Sequence, residues 1–510
     1  MLPILHLPMR KKFFVFGIIA FLLSIVSYIY FNTSLVLPIL LFSLLLIGLF
    51  NSVQHKHAIL RNFPVLGYFR YLFEMIAPEI QQYFIERTTD GKPFSRNERA
   101  LAYERAKNID ATTPFGTQLD INQSSYEGIK HSIFPAKVND ELPRIKVGGP
   151  DCKQPYSASL LNISAMSFGS LSENAIIALN IGAKKGRFYH NTGEGGLTEF
   201  HLQGGDVTWQ IGTGYFGCRT NEGNFDIKKF TEKANHPFVK MIEIKLSQGA
   251  KPGHGGVLPA AKNTEQIAKI RGVQPHTTIL SPPSHTAFSN PEGLIQFIAQ
   301  LRQLSNGKPI GFKLCIGQTS EFELICQEMI LQNCFPDFIT VDGAEGGTGA
   351  APLEFSDGVG MPFEPALIFV NKTLIRLNIR DKIRVIGSGK IISGYSILRA
   401  IAMGADMCNS ARGFMFSLGC IQALRCNNNT CPTGVATQNK MLMKGLVVTD
   451  KSERVYYFHK NTLHAANELL AAAGKSSYNE VDNSIFMRGD EFTKLSDLYF
   501  PDNLTNVSRF

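Results

Sequence analysis

Three cysteines, Cys420, Cys426 and Cys431, fall in one short stretch, and the last is followed by Pro432. Thiolates so spaced ligate iron–sulfur clusters or zinc, and a proline directly after the final cysteine also occurs in bacterial ferredoxin loops. A structural zinc site takes four ligands, yet the loop holds no fourth Cys or His, Cys408 being the nearest. Three thiolates suit a three-iron cluster; the plainer reading is three ordinary core cysteines. A second signal is glycine at four places, 164–170 (SAMSFGS), 341–349 (VDGAEGGTG), 387–390 (GSGK) and 410–413 (SARG). Glycine lets backbone N–H groups approach a phosphate, and a helix starting near Ser393 would add the positive end of its dipole. Each loop alone reads as a tight turn; the four together point to a phosphate-bearing cofactor. Glu194 sits among glycines in 191–196 (NTGEGG) and Lys251 in 249–256 (GAKPGHGG). Charges on such loops are ordinarily solvated. Lys313, inside the apolar run 311–315, either points into a ligand mouth or pairs with a buried carboxylate.

The elements that would position these residues are βα units. Short apolar or β-branched runs at 161–166, 238–246, 277–280, 310–315, 338–341, 383–386 and 407–410 alternate with helical patterns at 290–303, 320–332 and 393–402. That alternation argues for an α/β fold with a parallel sheet. A (β/α)8 TIM barrel over about 155–440 fits better than an open sheet, because no strand is followed by G-x-G-x-x-G with an acidic residue about 20 positions on. In such barrels a phosphate site commonly follows the last two strands, where the loops at Gly387 and Gly413 fall.

Ahead of this unit, 13–31 and 35–50 are apolar and uncharged, each close to a bilayer-spanning length. Arg10, Lys11 and Lys12 precede the first run, and Lys56 and Arg61 follow the second, so the positive-inside rule predicts a hairpin with both ends cytoplasmic. A cleaved signal would need a small-residue site after the first run, where a second apolar run follows instead. A buried soluble hairpin would keep a polar face, which neither run has. The expected organisation is a two-helix transmembrane hairpin over 1–54, a helical stalk and lead-in over 55–154, the barrel with its cysteine loop over 155–445, and a C-terminal extension over 446–510 that packs on it. The expected location is the inner (cytoplasmic) membrane, with the catalytic part facing the cytoplasm. The 510 residues carry a net charge of +9, but Lys and Arg are dispersed with no run longer than Arg10 to Lys12, which argues against nucleic acid as a partner. Nine cysteines, an odd number in a long chain, argue against a secreted disulfide framework.

Six segments in order, 164–172 (SAMSFGSLS), 191–196 (NTGEGG), 248–256 (QGAKPGHGG), 280–283 (LSPP), 346–350 (GGTGA) and 431–438 (CPTGVATQ), resemble the FMN-binding synthase domain of glutamate synthases over about 155–445. The overall organisation is similar to the membrane-anchored glutamate synthase-related proteins of bacteria. The resemblance implies FMN beside a 3Fe-4S cluster ligated by Cys420, Cys426 and Cys431. It implies electron passage through the cluster to the flavin, and hydride delivery from N5 to 2-iminoglutarate, giving L-glutamate. Ala165, Met166 and Ser167 would line the isoalloxazine and Lys313 would approach its polar edge. Gly346, Gly347, Gly389, Lys390, Ser410, Ala411 and Arg412 would hold the phosphate region. Glu194, Lys251 and Arg271 match positions around the 2-oxo acid. The two cations would serve its carboxylates, and Glu194 would orient or protonate the imino nitrogen.

Departures from the family pattern are also legible. The chain opens on Met1-Leu2 rather than on the cysteine nucleophile of a glutaminase domain, so ammonia is expected free or from a partner. Val257 stands where the family usually has a glutamine, and His254 where it has an acidic residue. Such changes shift substrate preference when a site is built around a polar contact. Two further readings follow: an amino-acid or N-methyl amino-acid dehydrogenase feeding a membrane quinone carrier, and a non-catalytic electron-relay subunit. Without a nicotinamide fingerprint, the electron donor is expected to be ferredoxin, a reductase subunit or a quinone-linked protein.

Overall fold

The computed structural model describes residues 7–139 and 141–489, so the last part of the expected C-terminal extension, 490–510, lies outside the described residues. The chain forms two compact units, Met1–Gly91 and Lys92–Phe510.

In the first unit, α1 (Met9–Phe31) and α2 (Val36–Val53) are both long and apolar enough to cross a membrane, each with a mean hydropathy of 2.4 and mostly exposed side chains. Asn32, in the left-handed region at φ 48°, ends α1 and lets the chain reverse. Gly17 lies against Leu45, where an added Cβ would come within 2.9 Å of the leucine, so small residues let the two helices meet closely. After a short helical turn at Ala58–Asn62, a longer helix, α3 (Gly67–Ile80), runs into a single π turn at Gln81–Ile85.

The second unit is a closed barrel of eight parallel strands: β1 (Leu161–Ile163), β2 (His190–Asn191), β3 (Val207–Ile211), β4 (Val239–Lys245), β5 (Ile310–Leu314), β6 (Phe338–Asp342), β7 (Arg384–Ser388) and β8 (Met407–Ser410). β8 closes on β1 in the register Cys408 with Leu161 and Ser410 with Ile163. Most strand residues are buried, which is why the longer strands read as apolar runs. Three segments differ from expectation. The run at 277–280 is not a barrel strand; its last two residues, Ile279–Leu280, pair antiparallel with Val257–Leu258. Its β-branched residues satisfy local propensity, but Leu280 is 70% exposed and buries nothing. The barrel is completed instead by β2 and β3. The first is two polar residues long, and the second alternates the apolar Val207, Trp209 and Ile211 with the buried polar Thr208 and Gln210, so neither is a continuous apolar run in the sequence.

Helices then cover the barrel. Ser172 caps α4 (Glu173–Gly186) by accepting from the Ala175 N–H, and α5 (Val448–Ala472) crosses it at Gly182, where a Cβ would overlap Val455. The helix expected at 393–402 forms over Gly394–Ala402, capped by Ser393. At the opposite end of the barrel from the strand C-termini, the buried Arg302 holds Asp337 at 3.0 Å, while Asp337 also accepts from the Ile310 N–H at 2.8 Å.

Candidate active site

A cavity of about 340 Å³ opens at the C-terminal ends of the strands, where barrel chemistry resides. Every expected site position lines it except Lys251 and Arg271. Ala165, Met166 and Ser167 come from the loop after β1, Glu194 from the loop after β2, Lys313 from β5, and Gly346 and Gly347 from the loop after β6. Gly389 and Lys390 follow β7; Ser410, Ala411 and Arg412 end and follow β8; and Cys420, Cys426 and Cys431 form the far wall.

At the floor, Lys313 realises both of its alternatives: it lines the cavity, and its Nζ lies 3.1 Å from Asp342 Oδ2. The same oxygen accepts the Gly249 N–H at 2.8 Å, and the other accepts from Ser388 Oγ at 2.8 Å. Burial works against the ammonium, but Asp342 and Glu243 outweigh it and hold the Lys313 pKa above the ordinary lysine value. Glu243, buried on β4, accepts from Asn191 at 2.8 Å, Gln210 at 2.6 Å and Thr340 at 2.6 Å, tying four strands together beneath Lys313.

On one side, Glu194 Oε2 accepts from Lys245 Nζ at 2.8 Å, and Lys245 also donates to Gln248 Oε1. Burial pushes the Glu194 carboxyl up, but Lys245, Arg271 and Lys251 together hold it below the ordinary value. Glycines make the space: a Cβ on Gly212 would come within 2.7 Å of Glu194 Cβ, and one on Gly256 within 2.6 Å of Oε1. Arg271 is buried, donates to the Phe168 carbonyl at 3.1 Å and lies 5.0 Å over the Phe216 ring; burial lowers its pKa to about 10. Its Nε has no partner among the described residues. Lys251 donates to the Ala350 carbonyl at 3.0 Å, with its pKa lowered by burial. Three cations thus surround one carboxylate, leaving an excess positive charge suited to an anion. Val257 is part of the cavity wall, whereas His254 is not; its ring packs edge-on to Phe355.

On the other side, Lys390 (φ 49°) and Arg412 both lie over the Phe94 ring, at 5.7 and 4.8 Å. Arg412 donates to the Glu345 carbonyl at 2.8 Å, and among the described residues neither cation forms an ion pair. Burial lowers both pKa values, and Arg412 lowers that of Lys390 further. A Cβ on Gly389 would overlap Phe363, and one on Gly347 would come within 3.1 Å of Arg412 Nη1, so this rim needs bare backbone.

The three cysteines differ electrostatically. Burial pushes Cys420 up to about 12 and raises Cys426. Burial also acts on Cys431, but N–H donors from Ala436, Thr433 and Val435 and the Thr433 hydroxyl hold it below the ordinary thiol value. Donors aimed at sulfur are what a cluster-ligating thiolate requires, and the three thiols lie close enough to influence one another. Among the described residues no three His, Cys, Asp or Glu side chains are placed to grip a single metal ion. Lys262, buried in this wall, donates to the carbonyls of Ser170 at 2.5 Å, Cys426 at 3.3 Å and Ala436 at 3.2 Å. The sequence offered no role for Lys262, Lys245 and Glu243, nor for Gln248 and Asp342, which lie within the segments 248–256 and 341–349. A charged residue closing a barrel strand was the available signal for Lys245 and Asp342; Lys262 carried none.

A closed parallel barrel with charged groups gathered at its strand C-termini is the architecture of a barrel enzyme. The chain belongs to the glutamate synthase family of oxidoreductases: residues 129–476 match the conserved region in glutamate synthase. It is 37% identical over 505 residues to the glutamate synthase large subunit-like protein YerD of Bacillus subtilis, covering 91% of this chain and 94% of that one. It is 32% identical over 357 residues to the archaeal glutamate synthase [NADPH] of Methanocaldococcus jannaschii, covering 70% of this chain and 66% of the relative. The match to the glutamate synthase [NADPH] large chain of Azospirillum brasilense, 32% identical, covers 62% of this chain and 20% of that protein. Among solved structures, a mutant flavocytochrome b2 with pyruvate bound overlays with a TM-score of 0.43 at 14% identity, covering 86% of this chain and 89% of that one. Nothing about function follows from a likeness that distant.

Proposed function

We propose that this chain is an FMN- and 3Fe-4S-dependent oxidoreductase that reduces 2-iminoglutarate, formed from 2-oxoglutarate and ammonia, to L-glutamate. The observation that carries this reading is that one cavity joins three chemically distinct walls: the cysteine loop, the glycine rim with Lys390 and Arg412, and the Glu194 pocket. Membership of the glutamate synthase family supports it. When bound, FMN would supply a hydride to the imine carbon and the cluster the electrons that replenish it.

The residues of the chain have separable tasks. Lys390 and Arg412, which form no ion pair among the described residues, would neutralise the phosphate, with the bare backbone of Gly346, Gly347 and Gly389 and the segment Ser410 to Arg412 closing around it. Ala165, Met166 and Ser167 would face the ring system, and Lys313, fixed by Asp342, would hold a cation at its polar edge. Lys251 and Arg271 would bind the two carboxylates of the oxo acid. Glu194, kept ionised by Lys245, would accept a hydrogen bond from the imino nitrogen and orient it. Cys420, Cys426 and Cys431 would ligate the cluster. α1 and α2 would cross the cytoplasmic membrane with Arg10 to Lys12 and Lys56 and Arg61 on the cytoplasmic side, and ferredoxin or a reductase subunit would donate electrons.

The test is an anaerobic absorbance titration of the detergent-purified, dithionite-reduced protein with 2-oxoglutarate plus ammonium. Flavin reoxidation is the expected outcome, and a colourless folded protein would end the reading. Val257 in the cavity wall favours a second substrate assignment, a 2-oxo or amino acid with a less polar side chain. In that case the flavin stays silent with 2-oxoglutarate and is reduced in the oxidised protein by an amino acid.

A further inference from the structure

α3 carries an apolar face that, among the described residues, nothing in its own unit covers. Phe69, Leu72, Phe73, Ile76 and Ile80 recur at the spacing that aligns them on one side of a helix, and Phe84 in the following turn is 84% exposed. Phe73 is 58% exposed, and its ring stacks on Phe69 with centroids 6.4 Å apart. Away from this face, Arg70 and Glu74 form an exposed ion pair at 2.8 Å. In a water-soluble setting that much aromatic surface would be an aggregation hazard.

The helix is tied to the end of α2. Asn51, buried in the last turn of α2, donates to the Pro64 carbonyl at 2.5 Å and to Tyr68 Oη at 3.1 Å. Tyr71 packs edge-on to His57 with centroids 5.8 Å apart, and Gly67 lies against Leu60 and Ile59. Tyr68, Tyr71 and Gly67 therefore hold the helix to the segment that leaves α2, while the phenylalanine face is presented elsewhere. Lys56 and Arg61 sit on that same segment, where a headgroup layer would meet them.

We propose that α3 and the turn at 81–85 lie in the membrane–water interface, with the phenylalanine face sunk about 5–10 Å into the leaflet where α2 ends. The occupant of the apolar face is lipid. This rests on the reading of α1 and α2 as membrane spans and adds a third contact that sets how the rest of the chain leaves the bilayer. Aromatic rings and tyrosine hydroxyls are the groups that favour this layer.

The test uses the full chain in phospholipid vesicles, with single tryptophans placed by Phe69→Trp, Phe73→Trp, Glu74→Trp, Leu22→Trp and Leu40→Trp. The one native tryptophan, Trp209, is fully buried and gives a constant background. The expected result is that tryptophans at 69 and 73 emit at shorter wavelength, are quenched by acyl-chain-brominated lipid and lose acrylamide quenching, while position 74 shows the reverse. If 69 and 73 are quenched by acrylamide while 22 and 40 are quenched by brominated lipid, the interfacial helix is overturned and the spans stand. If 69 and 73 are shielded from both quenchers, a protein surface covers them and the proposal is overturned. If 22 and 40 escape the brominated lipid, the spans and the proposal fall together.

Discussion

Lys313, buried, and Arg412, half-buried, are cations that line the same cavity, yet their proton affinities move in opposite directions. Burial disfavours the charge on both. At the floor, Asp342, 3.1 Å from Lys313, together with Glu243 more than restores what burial removes. At the rim, the carboxylates of Asp342, Glu345 and Glu98 act on Arg412 without direct contact and do not offset its desolvation. The floor is therefore neutralised from within the protein, whereas at the rim, among the described residues, no carboxylate touches Arg412 directly. Under the proposed function, that difference is what leaves the rim cations available to a flavin phosphate.

The largest expected effect comes from breaking the floor. Asp342→Asn leaves a buried ammonium without its direct partner and should cost about 3–5 kcal/mol of stability, read as a lowered denaturation midpoint. Adding Lys313→Met should recover most of that loss. If the double variant is no more stable than the single, the pair is not what neutralises the floor. The rim should respond differently: Lys390→Ala or Arg412→Ala should leave stability nearly intact and weaken FMN retention by about 1.5–3 kcal/mol each, measured by equilibrium dialysis of the flavin. An equal loss of folding stability at the rim would erase the contrast.

A smaller effect is expected where backbone rather than charge shapes the rim. Gly389→Ala would push a Cβ into Phe363 and should cost about 1–3 kcal/mol, with flavin retention falling alongside the denaturation midpoint. The smallest effect concerns pH. The Glu194 pKa is held below its ordinary value of 4.5, so its contribution to stability is present above that value and lost as pH falls through the folded pKa. The stability difference between the protein and its Glu194→Gln variant should shrink on acidification below about 4.5 and stay level from there to neutrality. The Lys313 pKa is raised, so its contribution is present below the ordinary lysine value and lost only as pH rises through the folded pKa; the two sides of the cavity fail at opposite ends of the pH scale.

Much of the architecture was legible because parallel barrel strands are buried on both faces. β4, β5, β6 and β8 stand out as apolar runs, and the helix at Gly394–Ala402 announces itself through Ser393. β2 and β3 were not legible. Their residues His190, Asn191, Thr208 and Gln210 are polar, and only the closed barrel shows that they are fully buried. The run at 277–280 misled for the converse reason, since β-branched residues favour extended backbone whether or not a barrel uses it.

The residue types that do chemistry were set by the sequence alone: three cysteines before a proline, four glycine loops, and cations at Lys251, Arg271, Lys313, Lys390 and Arg412. Composition and order suffice for that, because thiolates, bare backbone and fixed charges have the same chemistry wherever they fold. Pairing was decided by the tertiary structure. Asp342 meets Lys313 across 29 residues of chain, Lys245 meets Glu194 across 51, and Lys262 reaches Cys426 across 164. Whether a buried charge is satisfied depends on the few ångströms around it, and barrel closure, not sequence spacing, sets those distances.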